Sequence, residues 1–359
     1  MTDLPLRVGI AGYGVVGQRR QNHIDRRDDM RVISVSDQKF DDDGVFENGL
    51  RYWRDNTRLL EEDIDVLFVC LTNDVAADVT IAGLERGLHV FCEKPPGRDV
   101  ADIERVIDCE RRHPGKVLKY GFNHRYHDSV RDALRIVEAG DLGKVINLRG
   151  VYGKSKIINF ESDWRTKRAV AGGGILLDQG IHMVDLMRLF AGEFVEIHSF
   201  VSNDFWRHDV EDNAYALMRT ADGAVAMLHS SATEWRHRFQ LELTLERGGI
   251  SLSGILSGSK SYGEETLSVS WADEEAREEN GGNPREETTR YSNDPSWADE
   301  IAEFANLIIQ GAPVQHGTSE EALRTMELVY AIYCADPEWR QRWNLRAGGL
   351  NDANRRAAR

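Results

Sequence analysis

Positive charge is scarce. Against 45 Lys and Arg stand 60 Asp and Glu, giving a formal net charge of −15. So acidic a chain lacks the basic footprint that nucleic-acid binders need, so no nucleic-acid partner is expected, although a local pocket for a small anion is not excluded. Cysteine is sparse too: Cys70, Cys92, Cys109 and Cys334 stand far apart. Without a Cys-x-x-Cys pair there is no sign of a zinc ribbon or a disulfide scaffold. Reduced thiols in a cytoplasmic protein are the plain reading. No apolar run approaches the roughly 18 residues of a membrane-spanning helix, so no membrane partner is expected. Met1–Pro5 is polar, with no basic segment leading into an apolar one, so no signal peptide is read. No internal repeat is visible.

What the chain does have is enough apolar material for a core. Hydrophobic residues make up 41% and charged residues 29% of 359, which excludes global disorder. At roughly 150 residues per domain this length implies about two domains. In the first 120 residues short apolar runs alternate with helical patterns. Leu6–Ala11, Arg31–Ser36, Val66–Leu71, Leu88–Cys92 and Lys116–Gly121 read as strands. Val15–Asp25, Val75–Arg86 and a segment capped by Asp99 read as helices. That alternation predicts an α/β fold with a doubly wound parallel sheet. The second half reads differently. A helix is expected over Ser129–Glu138 and a strand over Asn147–Tyr152. Hairpins are expected around Ala221-Asp222-Gly223 and Arg247-Gly248-Gly249, which imply a mainly antiparallel open sheet. Two helices follow, one from Ser296 carrying Trp297, Ile301, Phe304 and Ile308, the other opening on a Thr318–Glu321 capping box. The acidic stretch 272–293 reads as a solvated loop or hairpin. The expected division is a dinucleotide-binding domain over 1–121, a substrate-binding and oligomerisation domain over 122–345, and a polar tail over 346–359.

Gly12-Tyr13-Gly14-Val15-Val16-Gly17 follows the first strand and opens the first helix, the context this motif requires. Gly12 permits the tight turn, Gly14 a close approach of pyrophosphate, and Gly17 helix–strand packing. The helix N-terminus offers N–H groups to phosphate. Asp37, ending the second strand, can accept both hydroxyls of an adenosine ribose and would repel a 2′-phosphate, favouring NAD. Lys39 nearby keeps NADP as the alternative.

Two sites carry chemistry. Glu93-Lys94-Pro95-Pro96 follows a strand whose C-terminal end faces the ligand crevice, so Lys94 can stabilise negative charge developing on a substrate oxygen. In the run Gly172-Gly173-Gly174 to Asp185, flexible glycines lead into a helical segment. There Asp178 and His182 are four apart and expected on one helix face, with His182 as base, Asp178 beside it and Asp185 bracing the helix. An Asp-x-x-x-His pair could also ligate a metal, but no third ligand has convincing spacing, so no metal is expected. Tyr152-x-x-x-Lys156 copies the spacing of short-chain dehydrogenases, yet Gly153 and the β-like run before it argue for a strand end.

Together these residues resemble the glucose–fructose oxidoreductase / inositol dehydrogenase (Gfo/Idh/MocA) family. The resemblance rests on the glycine loop, Glu93-Lys94-Pro95, Gly121-Phe122-Asn123-His124-Arg125-Tyr126, Asp163-Trp164-Arg165 and the Asp178–His182 pair. It implies a Rossmann domain followed by an α/β domain with an open sheet. It also implies an oxidoreductase acting on a secondary hydroxyl or ketone of a sugar, inositol or nucleotide-linked sugar. Lys94 and His182 would touch the reacting oxygen, with Asp178 beside them. Arg125, Trp164 and Arg165 would lie near the nicotinamide. Thr72 and Asn73, standing where the family often has Thr-Pro, still line the cofactor in this reading, with Val15, Val16 and Glu93 completing its site.

Asn123, Tyr152 and Trp235 complete the expected substrate pocket. The aromatic–basic clusters Trp206-Arg207-His208 and Trp235-Arg236-His237-Arg238 suit a large anionic sugar. Sheet-face packing with rim charges is the bland alternative. The rival functions are a non-catalytic NAD-sensing regulator and an epimerase or isomerase that recycles a tightly held NAD. An apolar open sheet face predicts a homo-oligomer, dimer or tetramer.

Overall fold

A computed structural model describes residues 5–155, 164–257, 262–272 and 284–346. The polar tail beyond 346, Asp163, Lys156 and residues 273–283 of the acidic stretch lie outside the described residues. The chain forms two compact units.

The first unit holds seven strands: β1 (Leu6–Ala11), β2 (Met30–Ser36), β3 (Gly44–Val45), β4 (Arg51–Trp53), β5 (Val66–Val69), β6 (His89–Glu93) and β7 (Leu118–Gly121). Their order is β3-β4-β2-β1-β5-β6-β7. Every described pairing is parallel except β3 with β4. Helices Val15–Ile24, Asn73–Glu85 and Val100–Arg112 link the strands. The Asp99 carboxylate accepts from the Asp102 N–H at 3.0 Å, capping the last of these as its sequence predicts. The short β3 and β4 were not anticipated; neither carries the alternation that marks a strand.

The division of the chain differs from the expected single cut near 121. The first unit gathers Met1–Asn123, Ala169–Gly172 and Trp297–Met326. The reason is apolar: Ile301, Phe304, Ala305 and Ile308 of the helix Ser296–Gln310 pack in one buried cluster with Leu6, Ile10, Val35, Phe68 and Phe91. Phe304 meets Phe68 and Phe91 edge-on, with ring centroids 5.7 and 5.4 Å away. The Thr318 box forms reciprocally: Thr318 Oγ1 accepts from Glu321 N and Glu321 Oε2 accepts from Thr318 N, each at 3.1 Å.

The second unit is built on eight strands: β8 (Val145–Ser155), β9 (Phe194–Ser202), β10 (Asn213–Thr220), β11 (Val225–Glu234), β12 (Arg238–Leu245), β13 (Gly248–Ser253), β14 (Glu265–Trp271) and β15 (Glu286–Tyr291). Their order is β15-β14-β13-β12-β8-β11-β10-β9. The sheet is antiparallel save for the β8–β11 pair. β15 lies in the stretch read as a loop or hairpin and pairs with β14. One sheet face packs on helices Asp128–Ala139 and Ile181–Ala191. The other is apolar over only half its width. Phe200, Tyr215, Leu217 and Met227 are exposed on β9–β11, whereas Gln240, Glu242, Ser251 and Ser268 continue the same rows on β12–β14.

Candidate active site

In the first unit the three glycines of the loop have separable causes. Gly12 adopts φ +89°, and a Cβ there would stand 2.2 Å from the Cys70 carbonyl oxygen. A Cβ on Gly17 would stand 2.0 Å from the Gly12 carbonyl oxygen. A Cβ on Gly14 would meet nothing within 4 Å. Packing demands the outer two; the middle one keeps open a space that a ligand can use. Val15, next in line, is 76% exposed at the start of its helix. Asp37 braces the loop: its carboxylate accepts from Tyr13 N and Lys39 N, each at 2.9 Å. These bonds leave lone pairs on both oxygens for ribose hydroxyls. The loop therefore fits a dinucleotide on its own geometry.

Asn73 is buried, and its Nδ2 donates to the Ala171 carbonyl at 2.7 Å. Thr72 Oγ1 donates to Asp74 at 2.6 Å. Thr72 thus holds its own segment, whereas Asn73 ties that segment to Ala171. Lys94 follows β6 and precedes a cis peptide bond to Pro95. Its neighbour Glu93 accepts from Arg20 Nε at 2.6 Å, and Arg20 Nη2 donates to Glu300 at 2.7 Å. Arg20 is fully buried, its guanidinium 4.4 Å from the Phe91 ring centroid and 4.3 Å from that of Trp297. Burial, partly offset by Arg20, pushes the Glu300 carboxyl up to about 7. Arg20 lies one turn past Gly17, and no local pattern predicted that it would be buried.

In the second unit the glycine run is not flexible. A Cβ on Gly173 would lie 2.3 Å from the Tyr333 hydroxyl, and one on Gly174 2.1 Å from the Glu211 carbonyl oxygen. Glu211 is buried, and its carboxylate accepts from Gly174 N at 2.7 Å, Leu176 N at 2.9 Å and the Tyr333 hydroxyl at 2.6 Å. Burial raises its pKa even so. The helix also departs from the expected regular turn. Residues Leu176–Gly180 wind as a π-helix before the α-helix Ile181–Ala191, so the spacing of four between Asp178 and His182 does not define one α-helical face. The close approach of Gly180 to Ser230 accompanies the wide turn; a Cβ there would lie 2.5 Å from Ser230 Oγ.

Asp178 is clamped by cations: Lys154 Nζ at 3.1 Å and Arg165 Nε at 3.3 Å. Arg165 also lies over the Trp164 ring, 4.4 Å from its centroid. His182 is buried, and its ring stacks on His124 with centroids 3.7 Å apart and planes 14° apart. His124 Nε2 is 3.1 Å from the Tyr152 hydroxyl. Burial lifts the Tyr152 pKa well above its ordinary value, so the phenol is neutral. Asp185 does brace the helix: Arg125 Nε and Nη2 each donate to its carboxylate at 2.7 Å, both residues buried. Trp235 is 68% exposed just beyond β11, while Asn123 is buried in the first unit. Three contributors were missed by sequence reasoning: His124, Lys154 and Tyr262, whose hydroxyl donates to Gln179 at 3.3 Å. His124 lies inside a quoted motif; the other two become visible only once the fold brings Lys154 to Asp178 and the Tyr262 ring to Tyr152.

Fold and loop together mark the first unit as a dinucleotide-binding domain, and the second is a separate α/β unit. Residues 6–122 match the model of an oxidoreductase family, NAD-binding Rossmann fold, and residues 130–251 match the Gfo/Idh/MocA C-terminal domain. The chain belongs to the Gfo/Idh/MocA family. It is 27% identical over 256 residues to levoglucosan dehydrogenase of Pseudarthrobacter phenanthrenivorans, an alignment covering 64% of this chain and 64% of that protein. It is 29% identical over 259 residues to D-glucoside 3-dehydrogenase of Escherichia coli, covering 64% of this chain and 71% of that protein. Among solved structures, levoglucosan dehydrogenase in complex with NADH superimposes with a TM-score of 0.78 at 20% identity, over 93% of this chain and 97% of that one. Among the described residues no helix is long and apolar enough to cross a membrane.

Proposed function

We propose that this protein is an NAD(H)-dependent dehydrogenase or ketoreductase that interconverts a secondary hydroxyl and a ketone on a sugar. The observation that carries the reading is the buried His182, stacked on His124 with the Tyr152 ring beside it, in a chain whose second unit also holds the Lys154–Asp178–Arg165 ion cluster and whose glycine loop is open at Gly14. Relatives named for levoglucosan, glucosides and inositol support a polyol substrate. Nicotinamide dinucleotide, when bound, supplies the hydride acceptor. Gly12–Gly17, Asp37, Thr72, Asn73 and Glu93 would hold it, with Arg125, Trp164 and Arg165 toward its nicotinamide end.

In the oxidative direction His182 takes the hydroxyl proton as the carbon loses hydride, and Lys94 donates a hydrogen bond to the same oxygen. Asp178, clamped between Lys154 and Arg165, would accept a hydrogen bond from a neighbouring sugar hydroxyl. Asn123, Tyr152 and Trp235 would contribute to sugar binding.

The test is a panel of glycosides, inositols and nucleotide-linked sugars with NAD, followed at the NADH absorbance. His182→Ala should lower turnover by about 10²–10⁴, the scale of lost general acid–base catalysis, with NADH binding retained. Near-normal turnover in that variant refutes the role. The apolar half of the second unit's sheet supports a homo-oligomer formed by two copies of that face; a monomeric mass by light scattering at working concentration contradicts it.

A further inference from the structure

The Trp206-Arg207-His208 segment belongs to no strand. It lies in the β9–β10 connection and is shaped by that connection's own hydrogen bonds. The Asp212 carboxylate, itself buried, accepts from Phe205 N at 2.9 Å and Trp206 N at 3.0 Å. Trp206 Nε1 donates to the Ala232 carbonyl at 2.9 Å, which fixes the indole plane. Asn203 Nδ2 donates to the His208 carbonyl. Arg207, between the two rings, adopts φ +57°, a region uncommon for a residue with a Cβ. Backbone of this kind persists where surrounding bonds over-determine it. The result is two parallel rings, Trp206 and His208, with planes 3° apart and centroids 6.4 Å apart.

Both rings line one cavity with Arg165 and Asp178. His208 Nε2 is buried there without a hydrogen-bond partner among the described residues. A buried imidazole nitrogen left unpaired is destabilising unless a ligand satisfies it. The remaining wall combines apolar Ile175, Val210 and Ala232 with Thr166 and the carboxylates of Glu211 and Asp212, which already accept backbone hydrogen bonds. An aromatic face, an apolar wall and a few polar atoms form the chemistry that recognises a pyranose or cyclitol ring, whose C–H face stacks while its hydroxyls are paired one by one.

We infer that Trp206 and His208 are specificity-determining residues. The indole carries the C–H face of the sugar, and His208 Nε2 pairs with one hydroxyl other than the one undergoing oxidation. This rests on the sugar-dehydrogenase reading above. Asp178, on the same cavity wall, ties the subsite to the reacting end.

The experiment compares the best sugar substrate with each of its monodeoxy analogues at non-reacting positions, using kcat/KM of wild type and His208→Leu. In wild type one position should show a loss of about 10–100-fold on removal of its hydroxyl, as expected where a buried partner is left unpaired. In His208→Leu the parent should fall by a similar factor, mostly through KM, and the parent-to-deoxy ratio at that position alone should collapse towards 1. His208→Gln, which keeps a hydrogen-bonding group, should retain part of the selectivity, and Trp206→Phe should preserve binding better than Trp206→Ala. NADH binding verifies that each variant is folded. An unchanged deoxy profile in both His208 variants, with wild type active, overturns this inference and leaves the proposed function standing. A wild type that oxidises or reduces no sugar of the panel overturns both.

Discussion

Gly14→Ala isolates what the ligand demands from what the fold demands. No atom lies within 4 Å of a Cβ at this position, and its φ of −78° suits any residue. Gly14 is the N-cap of the helix Val15–Ile24, so alanine sacrifices about 0.5–1 kcal/mol of capping preference. Against that, alanine narrows the unfolded ensemble and returns about 0.4–1 kcal/mol. The two nearly cancel, so Tm should stay within about 2 °C of wild type. The ligand sees something else. A methyl group would occupy the space through which pyrophosphate reaches the loop's N–H groups. Losing one charge-assisted hydrogen bond costs about 1.5–3 kcal/mol, or about 10–150-fold in the NADH Kd.

Gly17→Ala is the counterpart. Its Cβ would stand 2.0 Å from the Gly12 carbonyl oxygen, a backbone atom that cannot swing aside. Overpacking of this kind costs about 1–3 kcal/mol, lowering Tm by about 2–12 °C for a unit of this size. Calorimetry and NADH fluorescence titration on the two variants give both quantities. Wild-type NADH affinity in Gly14→Ala would refute the reasoning, because the open space would then not be the route to phosphate. Equal destabilisation of the two variants would refute it from the other side.

Three further outcomes follow from the first unit. Phe304→Ala empties a fully buried site between Phe68 and Phe91 and should cost about 3–5 kcal/mol, read as a Tm shift accompanied by weaker NADH binding. A loss under about 1 kcal/mol would mean the helix Ser296–Gln310 is not part of that core. Glu300 has a folded pKa of about 7, above its ordinary 4.5. Its contribution to stability is therefore complete below about pH 4.5 and lost as pH climbs through 7. The Tm of Glu300→Gln relative to wild type should rise between pH 5 and pH 8; a constant difference contradicts the buried-carboxyl assignment. Asp37→Ser removes the charge that would oppose a 2′-phosphate, so the NADP-to-NAD ratio of kcat/KM should increase by about tenfold. An unchanged ratio would assign cofactor choice elsewhere.

Which of these features could be read in advance follows from how far each interaction reaches along the chain. The glycine loop was legible because strand, turn and helix are consecutive: Gly17 answers to the Gly12 carbonyl five residues back and Gly12 to the neighbouring strand end at Cys70, while Gly14 stands open. The Asp99 and Thr318 caps were legible for the same reason. The π-turn at Leu176–Gly180 was not. Its spacing is indistinguishable from an α-helix until Ser230 on β11 is seen pressing against Gly180. The helix from Ser296 displayed its apolar stripe plainly, but an amphipathic stripe declares only that it will be buried, not against which sheet. Its partners Leu6, Phe68 and Phe91 lie more than 200 residues away. Polar partnership is harder still. Arg20 with Glu300, Lys154 with Asp178 and His124 with His182 are pairs whose members carry no local mark of each other. The residues that would carry the chemistry were named from motifs, while those that hold and charge them had to be found in space.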